Sequence, residues 1–314
     1  ALAGIGCHYL VQTMERDTYT FTQMGGEGVS WVGQSHFTKT NHVFVNLGDG
    51  TYFHSGVLAI RASVAAKVNI TYKILYNETV AMTGGQPHDG ELRPDMIAKQ
   101  VLAEGVNRLV LVMDDVTKYQ GKLDFPKQIQ VRHRDDLDEV QRELRDVEGV
   151  TCILYDQTCA TELRRKRKRG LVADPKHRAV INDLVCESCG DCSVQSNCIA
   201  IEPKETEMGV KRQINQDNCN KDLSCVKGFC PSFVSVIGGN LRKPKALTID
   251  FIAQGEALAL PKISNLDTPW SVLVTGIGGT GVVTVGALMA MAAYIEGKAV
   301  TTLDQTGLAQ KGGA

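Results

Sequence analysis

Seven of the ten cysteines crowd into residues 186–230, in two halves that share one spacing. Cys186, Cys189 and Cys192 are each separated by two residues, and Cys198 follows. Cys219 and Cys225 repeat that interval around Asp222, which stands where another cysteine is expected, and Cys230 then precedes Pro231. A disulfide framework normally occupies a short secreted domain, so local crowding in a chain of 314 residues favours metal and a reducing cytoplasm instead. Residues 183–240 are therefore set apart as a small domain of their own, with Cys7, Cys152 and Cys159 scattered outside it.

Two Cys-x2-Cys pairs would suit one tetrahedral zinc, but three ligand positions per half with an interleaved fourth do not. The pattern resembles a two-cluster ferredoxin, in which the first three positions of each half hold one iron–sulfur cluster and the fourth holds the other. That resemblance assigns Cys186, Cys189, Cys192 and Cys230 to a first 4Fe-4S cluster. It assigns Cys198, Cys219 and Cys225 to a second, with Asp222 at the remaining corner. A carboxylate binds iron less softly than thiolate, so this corner is expected to be labile, giving an Asp-ligated 4Fe-4S or a 3Fe-4S cluster. Asp222 can equally be read as an exposed acid at a helix start with no metal contact. The five residues between Cys192 and Cys198 exceed the usual three and weaken the assignment of Cys198.

Ahead of this block, short apolar runs recur at 42–47, 69–76, 106–113, 127–132 and 150–155, separated by helix-compatible segments such as 55–67 and 135–147. That alternation predicts an α/β, doubly wound parallel sheet over residues 1–160. The basic run LRRKRKRG, 163–170, breaks the pattern and reads as part of a linker, 161–182. Docking of an acidic ferredoxin or of nucleic acid is the other reading of the run. Yet 34 Lys plus Arg against 35 Asp plus Glu leave no global field for nucleic acid or an anionic membrane. Residues 241–268 read as a second linker. Thr268 to Ile295 carry no charge and are long enough to cross a bilayer. However, WSVLVTG is β-branched, GIGGTG would break a helix, and VVTVGALMAMAAYI is helical in composition. A strand, a glycine turn and a buried helix are predicted instead, opening a Rossmann-like domain at 269–314. Gly276–Gly281 with Asp304 also fit a dinucleotide fingerprint, although such glycines serve helix–strand packing as well.

One apolar run leads into Gly48-Asp49-Gly50 and the next into Asn77. The 26 residues between Gly50 and Asn77 accommodate a turn, a helix and a returning strand. Such a crossover sets the carboxyl ends of two parallel strands side by side, where open sheets bind ligands. Asp49 and Asn77 are expected to meet there, and their hard oxygens suit Mg2+. Gly48 and Gly50 would let a diphosphate approach the backbone, and a helix starting near Ser55 would aim its N-terminus at it. The plain alternative is a GDG turn with an unrelated loop Asn.

This block resembles the diphosphate-binding half of thiamine enzymes. TQMGGEGVSWVGQ, GDGTYFHSGVLAIRA, NITYKILYNETVAMTGGQP and CNKDLSCVKGFCPSFVSV together resemble indolepyruvate ferredoxin oxidoreductases in their fused bacterial form, within the 2-oxoacid:ferredoxin oxidoreductase family. The resemblance implies a thiamine diphosphate-binding fold, with Mg2+ held by the Asp49 and Asn77 side chains and the Thr79 carbonyl. It sets Gly25, Gly26, Gly28 and His54 at the border of the cofactor, His54 being the catalytic candidate. A lone His near a helix start is as readily a hydrogen-bonded surface residue. The resemblance also places 269–314 in the catalytic, gamma-type domain of the family, which is not known for NAD.

The implied reaction is oxidative decarboxylation, because thiamine diphosphate supplies an electron sink and iron–sulfur clusters accept single electrons. An aryl pyruvate, coenzyme A and oxidised ferredoxin would give arylacetyl-coenzyme A, carbon dioxide and reduced ferredoxin. The expected partners are that 2-oxo acid, coenzyme A, ferredoxin and further domains of the same polypeptide, in a homo-oligomer without nucleic acid or membrane. The chain starts ALAGIGC, without Met or a signal segment, and stops at LAQKGGA. An internal fragment is expected, inactive alone, with the Glu that activates the cofactor's pyrimidine on a missing domain. The competing readings are a pyruvate or branched-chain 2-oxoacid ferredoxin oxidoreductase and a non-catalytic electron-transfer module.

Overall fold

The apolar runs become strands in a computed structural model that describes residues 1–81, 85–88, 90–239, 251–260, 262, 267–276 and 280–305. One unit comprises Ala1–Glu162 with Leu273–Ala314, and the other Leu163–Val272. In the first lie β1 (Leu2–Ala3), β2 (Tyr19–Phe21), β3 (Val43–Gly48), β4 (Ile70–Tyr76), β5 (Arg108–Met113), β6 (Gln130–His133) and β7 (Val150–Asp156). They form a single sheet in the order β2-β1-β3-β4-β7-β5-β6, and every pairing is parallel. Around it run α1 (Val29–Gln34), α2 (Asp49–Thr51), α3 (Val57–Ala65), α4 (Pro94–Ala103) and α5 (Leu137–Arg145).

Alternate residues of a strand face opposite sides of the sheet, and both sides here are covered. Leu109, Leu111 and Met113 of β5 join Leu47, Ile60, Ile74 and Ile97 on one face. Val110 and Val112 join Val140 and Leu144 of α5 on the other. Burying each of these side chains stabilises the fold by about 1.5–3 kcal/mol. The outer face of α5 is charged, with Asp138 and Glu139 in its first turn, Arg142 and Arg145 in its last, and Arg142 Nε donating to Asp138 at 2.9 Å.

The second unit comprises two half-domains. β8 (His177–Ile181) pairs antiparallel with β11 (Phe233–Ile237), and β9 (Ile201–Thr206) pairs antiparallel with β10 (Gly209–Ile214). Each half reads strand, cysteine loop, helical turn, strand. The helical turns are α7 (Asp191–Ser196) and a 3-10 turn, Ser224–Val226. Buried Ala179, Ile181, Cys186, Ala200, Ile201 and Ile214 pack with Cys192, Cys198, Cys219, Cys225 and Phe233. A core so small and so rich in thiol calls for a staple in place of apolar mass.

The stretch read as a basic linker, 161–182, holds α6 (Ala160–Lys168) and β8. Leu, Arg, Lys and Glu are strong helix formers, and the arginines find fixed partners: Arg164 Nη1 donates to Asn218 O at 3.0 Å and Arg167 Nη1 to Asn220 O at 2.6 Å. In the second expected linker, Phe251–Glu256 form α8, and residues 240–250, 261 and 263–266 lie outside the described residues. Farther on, α9 (Val282–Ile295) forms as expected, but its residues are not buried. The flanking runs at 270–276 and 298–304 are not strands, since neither has a neighbouring strand to pair with. Residues 277–279 of the glycine fingerprint lie outside the described residues. Among the described residues, no helix is long and apolar enough to cross a membrane.

Candidate functional site

β3 and β4 pair along their length and end side by side, with Gly48 opposite Leu75. Asp49 follows one strand and Asn77 the other, and the two meet. Asp49 is 2% exposed. Its Oδ2 accepts the backbone N–H groups of Asn77 at 2.7 Å and Glu78 at 3.0 Å, and its Oδ1 accepts that of Gly50 at 2.9 Å. The Asn77 Oδ1 accepts both the N–H and the hydroxyl of Thr79 at 3.1 Å, which curls the loop tightly after β4. His88 Nε2 stands 3.3 Å from Asp49 Oδ2. Burial pushes the Asp49 carboxyl above its ordinary pKa, and the Asn77 N–H and His88 offset this only in part. A buried carboxylate faced by N–H dipoles and one imidazole is short of positive charge, which fits a divalent cation with oxygen ligands.

The glycines on either side of Asp49 fit a bound group in another way. A Cβ at position 48 would lie 3.9 Å from His8 Cε1, and one at position 50 would lie 3.6 Å from Val80 Cγ2. Both are ordinary contacts, so packing of the protein itself does not require glycine at either place, and the open space suits a ligand drawn against the backbone. The helix that follows begins at Asp49, six residues before the expected Ser55, because a π-helical turn at Tyr52–Gly56 joins α2 to α3. Such π turns recur at functional sites.

Gly25, Gly26 and Gly28 lie in the loop before α1, beside this helix. Gly25 and Gly28 are left-handed, with φ of +91° and +81°; a Cβ would lie 2.1 Å from Ser55 Oγ in the first and 2.6 Å from Tyr72 Oη in the second. Tyr72 Oη, buried, donates to the Glu27 carbonyl at 3.0 Å and fastens the loop to β4. His54 is exposed in the π turn, with Nδ1 2.6 Å from Ser55 Oγ, so the Gly25 loop and His54 border one space.

Sequence reasoning missed three groups. His88 reaches Asp49 from a loop with no motif of its own, and only its closeness to Asn77 in the chain hinted at it. Glu27, 1% exposed, accepts the Gly25 N–H at 2.7 Å, and burial raises its pKa. His8 is pushed down to about 4 by burial and then by Lys73, so it is neutral near pH 7.

In the cysteine-rich unit, burial raises the Cys225 thiol to about 11, with Cys198 and Cys219 as the next causes and Asp222 a further one. Cys198 belongs to the first half and the other three to the second, and Cys198, Cys219 and Cys225 pack on the same small core. Three soft thiols with one carboxylate suit iron. Asp222 is also exposed, and its Oδ1 accepts the N–H and hydroxyl of Ser224 at 3.2 and 3.0 Å, starting the 3-10 turn. The two halves share one loop geometry: Cys186 Sγ accepts the Ser188 N–H at 3.4 Å and Cys219 Sγ the Lys221 N–H at 3.3 Å. Cys189 and Cys230 are exposed. Among the described residues, no group of three or more His, Cys, Asp or Glu side chains is arranged as a metal cage.

Residues 4–154 match the family model "Thiamine pyrophosphate enzyme, C-terminal TPP binding domain", and residues 271–314 match "Pyruvate ferredoxin/flavodoxin oxidoreductase". The indolepyruvate oxidoreductase subunit IorA of Thermococcus kodakarensis is 27% identical over 213 residues, covering 63% of this chain and 31% of that protein. The subunit of the same name from Archaeoglobus fulgidus is 26% identical over 230 residues, covering 73% and 34%. The chain thus spans about a third of the length of these relatives. Among solved structures, a 2-oxoglutarate:ferredoxin oxidoreductase from Magnetococcus marinus shows 21% identity and a TM-score of 0.40 over 51% of this chain and 54% of that one, too slight a likeness to carry an argument.

Proposed function

Since this chain belongs to the 2-oxoacid:ferredoxin oxidoreductase family, we propose that residues 1–160 hold the diphosphate and Mg2+ of thiamine diphosphate, and residues 183–240 two iron–sulfur clusters. The parent enzyme would oxidatively decarboxylate an aryl pyruvate in the presence of coenzyme A and ferredoxin. The observation that carries this reading is the 2.7 Å hydrogen bond from the Asn77 N–H to Asp49 Oδ2, which joins the two ends of the motif.

The Asp49 and Asn77 side chains and the Thr79 carbonyl would hold the metal, and Gly48 and Gly50 would leave room for the diphosphate. Bound thiamine diphosphate supplies the electron sink that lets a 2-oxo acid lose carbon dioxide. The Gly25, Gly26 and Gly28 loop, fastened by Tyr72, would wall the cofactor. His54, its Nδ1 engaged by Ser55, presents its exposed ring to the same space as the candidate catalytic residue. Cys186, Cys189, Cys192 and Cys230 would hold the first cluster, and Cys198, Cys219, Cys225 and Asp222 the second. Single-electron acceptors suit ferredoxin as the outlet. The names of the archaeal relatives support indolepyruvate as the substrate.

Calorimetry on the full-length protein tests the site. Asp49→Ala and Asn77→Ala should each abolish Mg2+-dependent binding of thiamine diphosphate, because removing an oxygen ligand from a small all-oxygen site strips most of its affinity. Unchanged affinity in both variants would sink the assignment.

A further inference from the structure

Between the proposed ligands Asn77 and Thr79 stands Glu78, whose backbone is left-handed with φ of +66°. A residue with a Cβ rarely rests there. The N–H groups of Asn77 and Glu78 both meet Asp49 Oδ2, at 2.7 and 3.0 Å, and the left-handed turn that follows brings Thr79 back onto Asn77 Oδ1. The ligating shape of the loop therefore depends on whatever keeps residue 78 left-handed.

The side chain of Glu78 is anchored. Its Oε1 lies 3.3 Å from Lys118 Nζ, and the same ammonium donates to Asp156 Oδ1 at 2.9 Å. Asp156 is 0% exposed and ends β7, in register with Tyr76, the residue before Asn77. The Gln157 N–H closes the junction on the Tyr76 carbonyl at 3.1 Å. Lys118 also lies over the Tyr119 ring, 4.9 Å from its centroid. Burial alone would lower the pKa of the ammonium, yet Asp156 and Glu78 outweigh that and hold it above its ordinary value. The ammonium is half-buried and is held by a carboxylate on each side, Asp156 fully buried and Glu78 partly exposed.

We propose that Glu78, Lys118 and Asp156 form a strut that fixes the Asn77–Thr79 turn around Asp49, so that Lys118 is a positioning residue for the metal although it touches neither Asp49 nor Asn77. This rests on the reading of Asp49 and Asn77 as the Mg2+ site. The strut and a bare charge effect predict different outcomes. A free ammonium near a cation site repels the cation, so its loss should tighten Mg2+ binding; loss of a strut should weaken it.

Lys118→Met alone would strand the buried Asp156 carboxylate and could cost folding. The decisive variant is Lys118→Met with Asp156→Asn, which removes one positive and one negative charge and leaves the net charge as it was. The experiment measures the Mg2+ concentration that half-saturates thiamine diphosphate binding to the full-length protein, by calorimetry, together with the melting temperature of the metal-free protein. The double variant is expected to need about ten- to a hundredfold more Mg2+, as when groups that orient metal ligands are removed. Glu78→Gln, which leaves the Lys118–Asp156 pair intact, should move the same way, and Lys118→Arg should recover most of the affinity. Mg2+ affinity in the double variant equal to or tighter than the parent's overturns the strut. Failure of the parent itself to bind thiamine diphosphate with Mg2+ overturns the site reading, and the strut with it.

Discussion

Asp222 carries two geometries at once. Its carboxylate starts the Ser224–Val226 turn, and it stands close enough to Cys225 to raise that thiol. A capping acid without metal needs only the first; a cluster corner would need Asp222 to share a metal with Cys198, Cys219 and Cys225. If Asp222 is that corner, mild oxidation of anaerobically prepared full-length protein should release one iron from one cluster only, because carboxylate holds iron less softly than thiolate. Electron paramagnetic resonance should then show a three-iron signal in the parent and none in Asp222→Cys, whose second cluster should also shift in reduction potential. Identical spectra and iron contents in the two proteins would make Asp222 a turn cap and nothing more.

Among the elements, α6 departs furthest from expectation. Counting charge suggested a solvated tether, but helix propensity and two carbonyl partners fix the run against the loop that carries Cys219. Arg167→Gln removes a charged hydrogen bond to a partly buried carbonyl and should destabilise the cysteine-rich unit by about 1–3 kcal/mol. The check is thermal unfolding together with the rate at which a chelator strips iron; if neither changes, α6 is only a solvated face.

The central strands were legible because β4, β5 and β7 are buried on both faces and must be apolar throughout. The meeting of Asp49 with Asn77 was legible for a related reason, since one crossover has one length. β1 and β2 escaped notice, being strands of only two and three residues at one margin of the sheet that leave almost no periodic pattern. His88 and the Glu78 strut escaped too, because each is a contact made across loops, and loop geometry is written in no periodicity.

For the molecule as a whole, the proposal puts two kinds of chemistry on two units of one chain, and substrate choice would be a property of the full-length protein. Its steady-state rates with indolepyruvate, phenylpyruvate and pyruvate should favour the aryl substrates by at least about a hundredfold in kcat/KM, since burying a large apolar group discriminates more than a single methylene does. A preference for pyruvate would overturn the aryl reading and leave the family assignment standing. The pairing of β8 with β11 has a consequence of another kind. His177 and Ile237 are register neighbours, and the Gly238 N–H donates to the Lys176 carbonyl at 2.9 Å, so the polypeptide enters and leaves the cysteine-rich fold at nearly one point. A module whose two ends touch behaves as a cartridge. It can be lost, acquired or exchanged between genes by two cuts and a short splice, without stretching the chain on either side.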